Sequence, residues 1–186
     1  DNMAPNAICQ DITVQLDAAG NATITTADVD NGSNENCSLT YSISASGFTC
    51  ANIGANSVTL TATDGDANSA SCESVVTVED NVNPTVVCQD ATVQLDAGGN
   101  ASITTADVNN GSSDNCGASL SINVSNFICT DLGANNVTLT ATDGEGNSNT
   151  CQSVVTVEDN ISPTAVCQDI TVQITSGGTA SMAAGD

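Results

Sequence analysis

Carboxylates and sulfurs carry almost all the chemistry available to this chain. It has 22 Asp and Glu side chains and nine cysteines, with no Lys, Arg or His. Carboxylates with no internal counter-charge are hard-oxygen ligands whose cations must come from outside. Cysteines without histidines, and without any CxxC pair, lack the spacing of a zinc site and read as disulfides formed in an oxidising compartment. The same inventory excludes whole classes of function. Nucleic-acid binding relies on Lys and Arg displacing counterions from phosphates, and attraction to an anionic membrane surface relies on the same side chains. There is no His general base, no Lys for a Schiff base and no Cys–His pair. The chain therefore reads as non-enzymatic. It has no apolar run of membrane-spanning length, and its first residues lack the basic and apolar blocks of a signal peptide, so direct membrane insertion is not expected.

The spacing of the sulfurs gives the organisation. Cys9, Cys37, Cys50 and Cys72 recur at Cys88, Cys116, Cys129 and Cys151, and Cys9 recurs once more at Cys167, a period of 79 residues. A period this long, holding several strand-like runs in each copy, points to a row of small domains rather than a solenoid. The units expected are 1–79, 80–158 and, at 159–186, the incomplete start of a third.

Within one unit the apolar residues alternate with polar ones. Ile12, Val14 and Leu16 do so, then Ala22 and Ile24, Leu39 and Ile43, Val58, Leu60 and Ala62, and finally Val76 and Val78. This period of two predicts strands. Asp17–Asn21, Asp30–Ser33, Asn52–Asn56 and Asp64–Asp66 stand between them, rich in residues that tolerate tight turns. No stretch shows a helical period. About seven short strands per unit predict an all-β fold of tandem immunoglobulin-like (fibronectin III-like) sandwiches. Tyr41, Phe48 and Phe127 are the only aromatics, and a unit with such small side chains is marginally stable without staples. Asp11, Asp90 and Asp169, in the first strand of each copy, read as charges that keep a sheet edge soluble.

Several motifs together resemble a known family. Each unit opens with Asp-Asn-x-x-Pro and has a Cys in its first strand. The first unit continues with Gly-Ala-Asn-Ser-Val-Thr-Leu-Thr-Ala-Thr-Asp-Gly-x-x-Asn over 54–68, and a late Cys precedes Val-Val-Thr-Val-Glu-Asp at 75–80. This resembles the HYR (hyalin repeat) modules, particularly the tandem copies in giant surface proteins of gliding and biofilm-forming bacteria. The resemblance covers both full units and the opening of the third. It implies an immunoglobulin-like sandwich and an extracellular, cell-surface role in adhesion or as a stalk, with neighbouring repeats, and other copies in a filament, as partners. The second cysteine pair, Cys37 and Cys50, departs from the simplest HYR pattern.

Four cysteines per unit permit three pairings. In such a sandwich the first and last strands run parallel, which places Cys9 near Cys72 and leaves Cys37 to meet Cys50. The expected bridges are therefore Cys9–Cys72 and Cys37–Cys50, then Cys88–Cys151 and Cys116–Cys129. By the loop-entropy model each stabilises by about 3 to 4 kcal/mol.

The same strand assignment gathers oxygens at one pole of each unit. For the second unit these are Asp107, Asn109 and Asp114 from one loop, Asp143, Glu145 and Asn147 from another, and Glu79, Asp80 and Asn81 from the linker. The corresponding residues of the first unit are Asp28, Asp30, Glu35, Asp64, Asp66 and Asn68, and the next linker supplies Glu158, Asp159 and Asn160. Calcium takes six to eight oxygen ligands and tolerates irregular geometry, whereas magnesium keeps more of its water. Ca2+ is thus the expected cofactor. Between the units Asp30 becomes Asn109, Glu35 becomes Asp114 and Asp66 becomes Glu145, each change keeping an oxygen in place. Glu79-Asp80-Asn81 followed by Pro84 also resembles the Ca2+-binding linkers of cadherins. The Asp17–Asn21 and Asp96–Asn100 turns, at the opposite pole, read as structural. Sequons at Asn21, Asn31, Asn36, Asn100, Asn110, Asn123, Asn136 and Asn160 mark the chain as a candidate glycoprotein. A Ca2+-dependent module that binds glycans is the alternative to a structural rod. Its weakness is the scarcity of aromatic platforms for sugar stacking.

Overall fold

A computed structural model describes residues 2–36, 38–174, 176–178 and 180. The first repeat contains β1 (Ile12–Gln15), β2 (Asn21–Thr23), a one-turn helix α1 (Thr26–Val29), β3 (Thr40–Ile43), β4 (Gly47–Thr49), β5 (Gly54–Thr63) and β6 (Ser69–Glu79). The second contains β7 (Ala91–Gln94), β8 (Asn100–Ser102), α2 (Thr105–Val108), β9 (Ala118–Ile122), β10 (Asn126–Ile128), β11 (Gly133–Asp143) and β12 (Ser148–Glu158). The described residues after Glu158 form no strand.

Alternation places one side of each long strand inward. Along β5, Val58, Leu60 and Ala62 are fully buried, and their threonine neighbours are half-exposed. The four-stranded sheet runs β1-β6-β5-β3 and faces the two-stranded sheet β2-β4; the second repeat repeats this as β7-β12-β11-β9 and β8-β10. First and last strands run parallel, with Ile12 beside Val76 and Ala91 beside Val155. Each sandwich closes on one aromatic. Phe48 packs with Leu16, Ile24, Leu60 and Val76, and Phe127 with Leu95, Ile103, Leu139 and Val155. Two of the three aromatics in the sequence are thus core residues.

Six named strands form per repeat, and the helices α1 and α2 were not expected. They are four residues long, too short to show a helical period. They form because Thr-Thr-Ala-Asp is a capping box: Asp28 Oδ2 accepts from the Thr25 backbone N–H at 2.6 Å and from its hydroxyl at 2.7 Å. Asp107 does the same for Thr104 at 2.6 and 2.8 Å. Asp11 and Asp90 do more than keep an edge wet, since their Oδ1 atoms accept from the N–H groups of Val75 and Val154, both at 2.7 Å, and tie the first strand to the last.

Candidate metal centre at the joint between repeats

The sulfurs fix the frame of the joint. Cys9 is bonded to Cys72 and Cys88 to Cys151, each pair joining the start of a repeat to its last strand. Cys50 is bonded to Cys116 of the second repeat, with Cα atoms 5.4 Å apart. The pairings Cys37–Cys50 and Cys116–Cys129 are therefore corrected: Cys50 and Cys116 hold each other, and Cys129 is an exposed free thiol. Cys37 lies outside the described residues. The reason is positional. Cys50 opens a short 3-10 turn at the end of β4, at the pole facing the second repeat, and Cys116 lies just ahead of β9 at the pole of the second repeat that faces back.

Immediately before Cys116 stand Asp114 and Asn115. The backbone N–H of Cys116 donates to Asp114 Oδ2 at 2.9 Å. The Asn115 amide donates to the Asp17 carbonyl of the first repeat and to Asp80 Oδ1, both at 3.1 Å. The disulfide, the first repeat and the linker thus converge on one dipeptide. Asp17–Asn21 takes part as the surface that receives Asn115, with Asp17 Oδ1 accepting from the N–H groups of Ala19 and Asn21, each at 2.9 Å.

Asp80, Asp114 and Asp143 each bring a carboxylate oxygen into one group whose members lie within 4.8 Å of one another. Asp80 is 2% exposed and Asp143 8%. Asp80 Oδ1 also accepts from the Val82 N–H at 3.0 Å, an Asx turn that holds the linker. Asp143 is set by its loop: Oδ1 accepts from the N–H groups of Glu145 at 3.0 Å and Asn147 at 2.8 Å, and Oδ2 from the Asn147 amide at 2.7 Å. Burial pushes the Asp143 carboxyl up, but these hydrogen bonds outweigh it and hold the group below its usual value. Three oxygens complete the picture. Asp80 Oδ2, Asp114 Oδ1 and Asn115 Oδ1 are buried with no hydrogen-bond partner. Buried polar atoms are almost always paired, and like-charged carboxylates this close repel unless a cation or a shared proton neutralises them. A cation satisfies both conditions at once. The donor set is carboxylate and amide oxygen only, which selects a hard ion such as Ca2+ over zinc or copper. A cleft lined by Ala18, Val82, Asn83, Thr85 and Ser113 borders Asp114 and Asn115.

The other residues expected at the pole have different partners. Glu79 Oε2 accepts from Gln15 at 2.7 Å and Asn81 donates to Gln15 at 2.7 Å, forming a clasp at the end of β6. Glu158 and Asn160 repeat it on Gln94. Asp28 and Asp107 cap helices, and the Thr25 and Thr104 N–H groups lower their carboxyls from the usual value. Asp30 and Asn109 accept from Ser33 and Ser112 N–H groups at 3.0 Å. The Glu145 backbone N–H holds Asp143, and Asn147 joins the linker to the Asp143 loop by also donating to the Asp80 carbonyl at 2.9 Å. In the first repeat, Asp64 accepts from the N–H groups of Asp66 and Asn68 in the same loop geometry, and the Asn68 amide lowers its carboxyl. Glu35 Oε1 accepts from the Asn36 N–H at 2.6 Å. Asp159 Oδ1 accepts from the Ile161 N–H at 2.9 Å as Asp80 does from Val82. Sequence reasoning missed Asn115. Its signal was adjacency, because an acidic residue and Asn precede Cys in both repeats, at 35–37 and 114–116.

No family model and no curated protein matches this chain. Among solved structures, the human protocadherin-24 EC1-2 fragment is similar over 86% of this chain and all of that one, at 15% identity and a TM-score of 0.45. The human mucin-like protocadherin EC1-2 fragment matches over 84% of this chain and 98% of that one, at 12% identity and a TM-score of 0.41. Immunoglobulin domains 1–5 of Sidekick-1 match over 84% of this chain and 39% of that one, at 11% identity and a TM-score of 0.43. The chain is an all-β protein of paired, disulfide-bonded immunoglobulin-like sandwiches.

Proposed function

We propose that the chain is a structural segment of an extracellular adhesin, stalk or filament, in which Ca2+ at the joint between consecutive repeats makes a stiff rod. The observation that carries this reading is the set of three buried, unpartnered oxygens, Asp80 Oδ2, Asp114 Oδ1 and Asn115 Oδ1, beside the Asp143 carboxylate. The ion's ligands come from the linker and from two loops of the second repeat, and Asn115 passes the arrangement to the first repeat through Asp17. Binding the ion therefore fixes the angle between repeats. The cysteines support an extracellular setting, since disulfides persist in oxidising compartments. The repeats are HYR-type modules in this reading, bounded at 1–79 and 80–158, with β6 and β12 ending at Glu79 and Glu158.

Small-angle X-ray scattering tests the rod. With Ca2+ the two-repeat particle is expected to keep one maximum dimension. Chelation leaves the peptide linker, the Cys50–Cys116 bond and the Asn115–Asp17 hydrogen bond as tethers, so the distance distribution should broaden toward shorter values. An identical distribution in both conditions contradicts the proposal.

A further inference from the structure

Three disulfide rings overlap along the chain. Cys9–Cys72 closes a ring over the first repeat and Cys88–Cys151 one over the second, each with a sequence separation of 63. Cys50–Cys116, with a separation of 66, starts inside the first ring and ends inside the second. A backbone cut within either repeat's ring leaves its two sides joined by that repeat's own bridge. Between the two rings only the segment from Cys72 to Cys88 lies outside both, and Cys50–Cys116 spans it. This segment holds the stretch a protease reaches most readily: between Glu79 and Ala91 the backbone forms no strand, and Asn81 and Asn83 are exposed. Trypsin-like enzymes find no Lys or Arg to cut after, but Glu79, Asp80 and Val82 offer sites to endoproteases that select acidic or apolar residues.

We propose that Cys50–Cys116 is a covalent bypass of the linker, which keeps the chain in one piece under tension after an extracellular endoprotease has added water across a linker peptide bond. The path lengths give its action. In the intact chain, tension entering at Cys9 crosses to Cys72, follows 16 residues to Cys88 and crosses to Cys151, so the interiors of both sandwiches stay off the path. Those residues span at most about 53 to 58 Å. The bypass runs 22 residues from Cys72 back to Cys50, crosses to Cys116 and runs 28 residues back to Cys88. Its residues span at most about 165 to 180 Å. The longer path is slack while the linker holds and takes the tension only when the linker is cut. With the bypass, any single backbone cut between Cys9 and Cys151 leaves one molecule. Without it, a cut between Cys72 and Cys88 leaves two.

The inference rests on the reading of the chain as a stalk under tension but not on calcium, so every measurement is made in chelator, with free thiols alkylated. Val82→Lys gives trypsin one site in a chain that otherwise has none. After trypsin, this variant should run as one full-length species on a non-reducing gel and as two fragments once reduced. Adding Cys50→Ser and Cys116→Ser should give two fragments with or without reductant. Held by its ends in an optical trap, the nicked Val82→Lys chain should bear force and lengthen along the bypass, whereas the nicked triple variant should part at once. A digest of the unaltered chain makes the outcome independent of how any variant folds. Its glutamates are Glu35, Glu73, Glu79, Glu145 and Glu158. Exhaustive cleavage of the denatured, unreduced chain by a glutamyl endoprotease therefore excises 74–79, and mass spectrometry should find 1–35, 36–73, 80–145 and 146–158 as one disulfide-linked species. Separation of the peptides of 1–73 from those of 80–158 without reductant overturns the proposal, as does a nicked triple variant that stays joined, since another bond would then tie the repeats.

Discussion

Asp114 belongs to two balances with opposite signs. Without a cation it adds a third negative charge to a group within 4.8 Å of Asp80 and Asp143, and each such pair repels by about 3.5 to 4 kcal/mol at an effective dielectric of about 20. With Ca2+ present it is a ligand. Asp114→Asn is therefore expected to raise the unfolding temperature in chelator and to weaken Ca2+ binding by about tenfold or more, roughly 1.4 kcal/mol. Thermal unfolding in both conditions and calorimetric titration check the two signs, and a variant less stable in chelator would count against the clustering argument. Asp107 behaves differently because it caps α2 and lies outside the cation group. Its folded value is lowered from 3.8 by the Thr104 hydrogen bonds, so its stabilisation is complete above the unfolded value and is lost as pH falls through the folded one. Asp107→Ala should be less stable than wild type at neutral pH, leave Ca2+ affinity unchanged, and close the stability gap as pH drops below the ordinary carboxylate value of 3.8. A pH series of unfolding temperatures follows this, and a gap that persists at acid pH contradicts it.

At the scale of elements, the staple and the cation site are one piece. Cys116 follows Asn115 directly, its N–H holds Asp114, and Cys50 sits 3.4 Å from the Asn115 carbonyl. Removing the bond frees the loop that presents two of the three unpartnered oxygens. Cys50→Ser with Cys116→Ser is expected to weaken Ca2+ binding by about tenfold, and by thermodynamic reciprocity Ca2+ should make the Cys50–Cys116 bond harder to reduce by the same factor. Calorimetry of the double variant and thiol-exchange equilibria of the wild type must agree on that factor. Affinity unchanged by the loss of the bond would separate the two features. The elements also show what was legible in the sequence. The strands were, because Val58, Leu60 and Ala62 alternate with threonines and leave no other face to bury. The four-residue helices were not, since their only signal is the Thr-Thr-Ala-Asp box. Nor was the Cys50 partner, because the repeat invites pairing within a unit and nothing in the spacing shows that Cys116 faces back to the first repeat.

At the scale of the whole molecule, a chain of net charge −22 can form the proposed rod only if its joints are neutralised from outside. The sequence pointed to external cations and to the pole at which three aspartates converge. Of the residues it pointed to, Asp80, Asp114 and Asp143 converge, whereas Glu79 and Asn81 clasp Gln15 and Asp107 and Asn109 bond the backbone of their own turns. The most direct measurement is anomalous diffraction from crystals of this chain grown in Ca2+. The account predicts a calcium peak within ligand distance, about 2.3 to 2.6 Å, of Asp80 Oδ2, Asp114 Oδ1 and Asn115 Oδ1, and a peak at no such distance, or water in its place, would contradict it.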